Sequence, residues 1–97
     1  MTIRAVWKYP LDLASSQTLA LPVGAEIIHV GIDRFNAICM WATVNPKVTN
    51  TEHRVFNIVG TGAVELTDAM THVGSVVQGD FVWHVFETSE TGAGERS

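Results

Sequence analysis

His29, His53, His72 and His84 are the side chains here best suited to move protons or hold a metal. Each falls in a different strand-like segment, and no pair has the spacing of a ligand motif. No metal site is expected on that ground. His84 sits mid-strand between apolar neighbours, so its ordinary reading is a core histidine satisfied by one hydrogen bond. The sharper reading is a ligand contact or a pH-sensitive group. His29 takes the same ordinary reading. Gly60-Thr61-Gly62 is the best candidate for ligand contact, since glycines allow close backbone approach and can aim N–H groups at an anion. A bulge or tight turn is the plainer account of the same three residues. Arg54 shares a face with Phe56 and Ile58 and so points inward. It would pair with a carboxylate or reach solvent; left unpaired, it would suit a phosphate or a partner's carboxylate. Trp7, Trp41 and Trp83 would pack in the core or serve as binding anchors. Lys8 beside Trp7 and Tyr9 would complete a basic-aromatic patch, or simply guard a solvated edge. There is no nucleophile elbow, His-Glu-x-x-His, phosphate loop or dinucleotide fingerprint. No catalytic residue and no cofactor is expected, and the chain is not expected to be an enzyme.

The elements that must position these residues are strands. Phe81–Glu87 (Phe-Val-Trp-His-Val-Phe-Glu) alternates bulky apolar residues on both sides, which predicts a strand covered on both faces by a second sheet or a partner subunit. Alternation further predicts strands over Ile3–Tyr9, Gln17–Leu21, Ala25–Ile32, Ala37–Val44, Glu52–Val59 and Met70–Gln78. Pro10 and Pro22 end the first two. Ala25–Ile32 reads as a central strand by composition. Asp33–Asn36 joins it to the next strand as a hairpin, and Gly79-Asp80 makes a second hairpin. Asn45–Thr51 is a polar loop. Ala63–Asp68 reads as a short extended piece, with one helical turn over Glu65–Ala69 as the alternative. About seven strands with no sustained helical period predict a small antiparallel β-sandwich or barrel. Residues 1–88 form one β domain in this reading, and residues 89–97 a disordered, polar C-terminal tail.

The totals narrow the function classes. A chain of 97 residues makes one domain with a thin core, burying roughly 60–65% of its unfolded surface. A homo-oligomer is expected, because open sheet edges need protection or find partners. Net charge is −4, with six Lys and Arg, which argues against binding a nucleic-acid backbone. The ten Asp and Glu form no run, so a DNA mimic is not expected either. Cys39 is the only cysteine, so no intramolecular disulfide or cysteine-based zinc cluster can form. No signal sequence and no membrane-length apolar run is read, which places the chain in a reducing cytoplasm.

Several short motifs together carry a resemblance. They are Val6-Trp7-Lys8-Tyr9-Pro10-Leu11, Leu21-Pro22-Val23-Gly24-Ala25, Trp41-Ala42, Arg54-Val55-Phe56, Gly60-Thr61-Gly62 and Val82-Trp83-His84-Val85-Phe86-Glu87. Over residues 6–87 the chain resembles a family of small phage and prophage proteins of unassigned function. The Trp-Lys-Tyr-Pro opening and the Trp-His-x-Phe-Glu ending are the specific parts. Gly74-Ser75 stands where that family carries Gly-Thr. The resemblance implies a phage-encoded accessory protein in the cytoplasm of an infected bacterium. Small non-enzymatic phage proteins often act against host defence, and three roles follow. The first is a counter-defence binding protein that blocks or sequesters a host defence protein. The second is an oligomeric sponge for a small nucleotide signal, held by Arg54, the Gly60–Gly62 turn and a tryptophan. The third is a minor virion or assembly protein.

Overall fold

The computed structural model describes residues 2–89. Seven strands form: β1 (Ala5–Pro10), β2 (Gln17–Pro22), β3 (Glu26–Ile32), β4 (Ile38–Val44), β5 (Thr51–Gly60), β6 (Met70–Gln78) and β7 (Phe81–Thr88). They make a three-stranded sheet of order β1-β4-β3 and a four-stranded sheet of order β2-β5-β7-β6. Every paired neighbour is antiparallel, and no helix occurs among the described residues. The molecule measures 42 × 40 × 19 Å, the thin dimension being that of two stacked sheets about 10 Å apart. This is the expected all-β sandwich. The tail read over residues 89–97 lies outside the described residues, apart from Ser89.

Local chemistry explains the elements. Pro10 and Pro22 are the last residues of β1 and β2 rather than lying beyond them. Both strands are sheet edges, where a residue without an N–H is tolerated. Asp33 closes the β3–β4 hairpin: its Oδ1 accepts the N–H groups of Phe35 (2.9 Å) and Ala37 (3.0 Å). Asn36 takes the left-handed position there, at φ 64°. The Gly79-Asp80 turn joins β6 to β7, as expected.

The core lies between the sheets. Val30, Ile38, Met40, Ala42 and Val44 come from one layer, and Leu21, Phe56, Ile58 and Val85 from the other. A Cβ on Gly74 would stand 2.9 Å from the Val30 Cβ and 2.7 Å from its Cγ2. Only a glycine therefore lets β6 approach β3 this closely.

Four expectations change. Ala25–Ile32 is not central: β3 is an edge, and β4 is the middle of its sheet. The apolar Ile28 is exposed at a register shift between Ile27 and His29. His29 is exposed too, not a core histidine. The first strand starts at Ala5, leaving Ile3 exposed. Residues 63–67 are neither strand nor helix, and a turn follows at residues 68–69. This connection is a crossover. β5 and β6 both run antiparallel to β7, which lies between them, so the chain must return along β7 before β6 begins. Within the single chain, β7 is buried on one face at Val85, and on the other Val82 is exposed and Phe86 half-buried.

Candidate functional site

On the outer face of the four-stranded sheet, a polar chain runs across three strands. Gly60 ends β5, and Thr61-Gly62 form a turn in which Gly62 adopts φ +94°, a conformation that L side chains rarely take. The turn brings Thr61 Oγ1 to 2.8 Å from His84 Nε2. The other ring nitrogen, His84 Nδ1, is 2.7 Å from Ser75 Oγ. Ser75 Oγ is in turn 2.9 Å from His72 Nε2. Ser75 carries one hydroxyl hydrogen, so only one imidazole can accept it, and the other must donate its own N–H. The His72 ring also meets Phe86 edge-on at 5.3 Å. His84 is half-buried and bonded through both nitrogens, not closed off by a single bond.

Alternation alone would set His72 and Ser75, three residues apart, on opposite faces. The register shift between His72 and Gly74 inserts one residue and returns both to the same side. For this reason the sequence offers His72 only as one of four separate histidines and gives no sign of Ser75 beside it. Gly74, as a bulge marker within a strand, was the available signal.

Arg54 lies at one end of the inter-sheet space. Its Nε and Nη2 donate to Glu87 Oε2 (2.6 Å) and Oε1 (2.8 Å), and its Nη1 donates to the Ala25 carbonyl (2.7 Å). The two side chains are 18% and 26% exposed. The Glu87 hydrogen bond raises the Arg54 pKa further above its ordinary value, against the opposing effect of burial. A cleft of about 610 Å³ opens beside this pair, lined also by Glu52, His53 and Thr71. Every nitrogen of the guanidinium already has an acceptor. The arrangement is a bidentate clamp from β5 to β7, the carboxylate pairing of the plainer reading, with a third bond to the β2–β3 connection.

Lys8, Trp41 and His29 form a row across the outer face of the three-stranded sheet. The His29 and Trp41 rings are 5.3 Å apart. Lys8 Nζ bonds Asp33 Oδ2 at 3.1 Å. The Asp33 carboxyl is held at about 2, chiefly by the Ala37 N–H, with help from Lys8, Phe35 and Cys39. Burial and the neighbouring Asp33 push the Cys39 thiol up, so it is not a reactive thiolate. The patch expected from Lys8, Trp7 and Tyr9 is split by alternation: the last two share the inward side of β1, and Lys8 projects outward. Trp7 is nonetheless 42% exposed at that sheet edge.

A further surface was not anticipated. Gln78 Nε2 donates to the Asn36 carbonyl at 2.9 Å, tying the β6–β7 hairpin tip to the β3–β4 tip. Phe35 is 72% exposed, Val77 67% and Phe81 61% around this junction. The Arg34 guanidinium lies 4.9 Å from the Phe35 ring centroid, and Phe81 stacks on Trp83 at 5.4 Å. Trp83 Nε1 donates to Gln78 Oε1 at 3.0 Å. Sequence reading took Phe35 as loop and Phe81 as covered strand.

The sequence candidates thus fall in separate places. Thr61 and His84 meet, flanked by Gly60 and Gly62; Lys8 and Trp41 meet on the other sheet; Arg54 and Trp7 stand apart. Among the described residues, no three His, Cys, Asp or Glu side chains converge as a metal cluster. No helix there is long and apolar enough to cross a membrane. The family model for a domain of unknown function (DUF7352) matches residues 2–96. No curated protein and no solved structure matches the chain.

Proposed function

We propose, from the premise that the chain belongs to the DUF7352 family of domains of unknown function, that it is a non-enzymatic, phage-encoded accessory protein. In this reading it blocks or sequesters a host defence protein by direct contact. The observation that carries the contact mode is the pair of joined hairpin tips, where Arg34, Phe35, Val77 and Phe81 crowd one end of the sandwich. Exposed apolar side chains grouped with an arginine are the composition of a protein-binding centre. The phage and counter-defence context rests on the resemblance of the Trp-Lys-Tyr-Pro and Trp-His-x-Phe-Glu segments. The nucleotide sponge draws less support, because the Arg54 fork it would use is spent on Glu87 and Ala25.

Phage plating on hosts with and without active defence systems tests the role. The protein should raise plating on a defended host, and Phe35→Ser/Phe81→Ser should abolish the gain, whereas Val64→Ser should retain it. Native mass spectrometry of protein from the same cells separates the alternatives. A co-purifying host protein, lost in the double variant, fits the blocker. A bound mass of a few hundred daltons at each site would replace it with the sponge.

A further inference from the structure

Strand β1 is a sheet edge that pairs with β4 without interruption from Ala5 to Pro10. The β3 and β6 edges are broken by register shifts, and they meet each other where Gly74 approaches Val30. We infer that β1 pairs antiparallel with β1 of a second copy of this chain, about a two-fold axis at Trp7, so that two three-stranded sheets become one. The backbone gives the first support. Leu11 N–H donates to the Ile38 carbonyl at 2.8 Å. By alternation Ala5, Trp7 and Tyr9 also bond toward β4, and Val6 and Lys8 turn their N–H and C=O groups to the free edge. An extended chain is what satisfies such a row. The side chains give the second. Arg4 and Lys8 would ordinarily guard an edge, yet both reach back over their own sheet. Arg4 Nη2 donates to Thr43 Oγ1 at 3.0 Å, and Lys8 Nζ to Asp33 Oδ2 at 3.1 Å. The exposed groups left at the edge are apolar: Ile3, Val6 and Trp7. Trp7 stands beside the fully buried Ala42 on the inward side, so its exposure marks a place that the other sheet does not cover.

Register identifies the occupant as a second copy. Centred on Val6, the pairing would set Arg4 opposite the partner's Lys8; centred on Lys8, it would oppose the two lysines. Both place like charges face to face. Centred on Trp7, Val6 and the partner's Lys8 exchange both backbone bonds, and no like charges are opposed. Ala5 then stands opposite the partner's Tyr9, small against large, and the two Trp7 side chains meet at the axis. Pro10, which has no N–H to offer, falls at the end of the paired stretch. Such a contact is isologous and closes on itself as a dimer. This inference does not depend on the role proposed above.

The test is sedimentation velocity of tag-free, full-length protein over a concentration series. A dimer is expected. Val6→Pro removes an N–H from the free edge without touching the bonds to β4, so it should give a folded monomer. Val6→Lys, which would face the partner's Lys8 twice by symmetry, should raise the dimer Kd about 10-fold, whereas Val6→Glu should not raise it. Circular dichroism of each variant separates loss of the dimer from loss of the fold, and if Val6→Pro unfolds, the Val6→Lys and Val6→Glu pair decides. Disulfide trapping supplies a second readout of the register. Trp7→Cys should form a reducible dimer on oxidation, since directly opposed residues of this kind lie about 4.5 Å apart at Cα. Ala20→Cys, on the β2 edge, should not. A monomer throughout the series, a dimer that persists in folded Val6→Pro with an unchanged Kd in Val6→Lys, or trapping through Ala20→Cys instead of Trp7→Cys would overturn the inference.

Discussion

Removing the Arg54 side chain leaves the Glu87 carboxylate largely buried with no guanidinium and takes the donor from the Ala25 carbonyl. Breaking a buried pair from one side costs several kcal/mol, and partial exposure reduces that. Arg54→Ala should therefore lose about 2–4 kcal/mol of stability in urea unfolding. Arg54→Ala/Glu87→Ala should lose less than the two single changes added together. Strict additivity would show that the clamp contributes no coupling. Asp33 gives a pH prediction. Its carboxyl is lowered from 3.8 to about 2 in the folded chain. A lowered folded value means a stabilising contribution that is present above about pH 4 and lost as pH falls toward 2. Thermal melts across that window should show a shallower acid decline for Asp33→Asn, which should already be less stable at pH 7. The inward direction of Arg54 was legible from its alternation with Phe56 and Ile58. Its partner was not, because Glu87 lies 33 residues away and only strand pairing brings the two together.

Strand β6 holds two devices that depend on one glycine. Gly74 lets the sheets close at Val30, and the adjoining register shift gathers His72 and Ser75 on one face. An added methyl would press on the Val30 Cβ, part of a branched side chain that cannot swing away cheaply. Gly74→Ala should cost about 1–3 kcal/mol, and Val30→Ala in the same chain should recover part of the loss. If the double variant is no more stable than predicted by addition, the contact is not the cause. Gly31 makes a useful contrast. There the added methyl meets the movable His29 ring, at 2.7 Å from Nε2. Gly31→Ala should cost less than Gly74→Ala and act mainly by displacing His29 from Trp41. Read in sequence, Gly74 only weakened a strand; its close approach to Val30 belongs to the packing of one sheet on the other.

At the scale of the molecule, burial divides the chain unevenly. Met40 and Ala42 in β4 and Phe56 to Val59 in β5 are buried in strands with neighbours on both sides. The crossover over residues 61–68 is exposed throughout. Amide exchange should therefore be slowest in β4 and β5 and fastest in the crossover. Comparable protection of the crossover would indicate contacts beyond those of the isolated chain. The hairpin tips lie outside the core, so Phe35→Ser/Phe81→Ser should change stability by no more than about 1 kcal/mol. Loss of partner contact in that variant would then report the surface rather than unfolding.

Period-two alternation and turn chemistry alone determined that this chain is all-β, has about seven strands and forms hairpins at Asp33–Asn36 and Gly79-Asp80. These signals are local, because each strand writes its two faces into neighbouring residues. Three-dimensional packing decided which strands are edges, since a strand apolar on both sides can be central or lie at an edge with Ile28 exposed. It also decided the crossover, the Arg54–Glu87 clamp, the joined tips and the convergence of His72, Ser75 and His84. Each of these depends on register between segments far apart in the chain. A one-residue shift reverses the face a side chain takes, and the shift in β6 is what sets the two histidines on one oxygen.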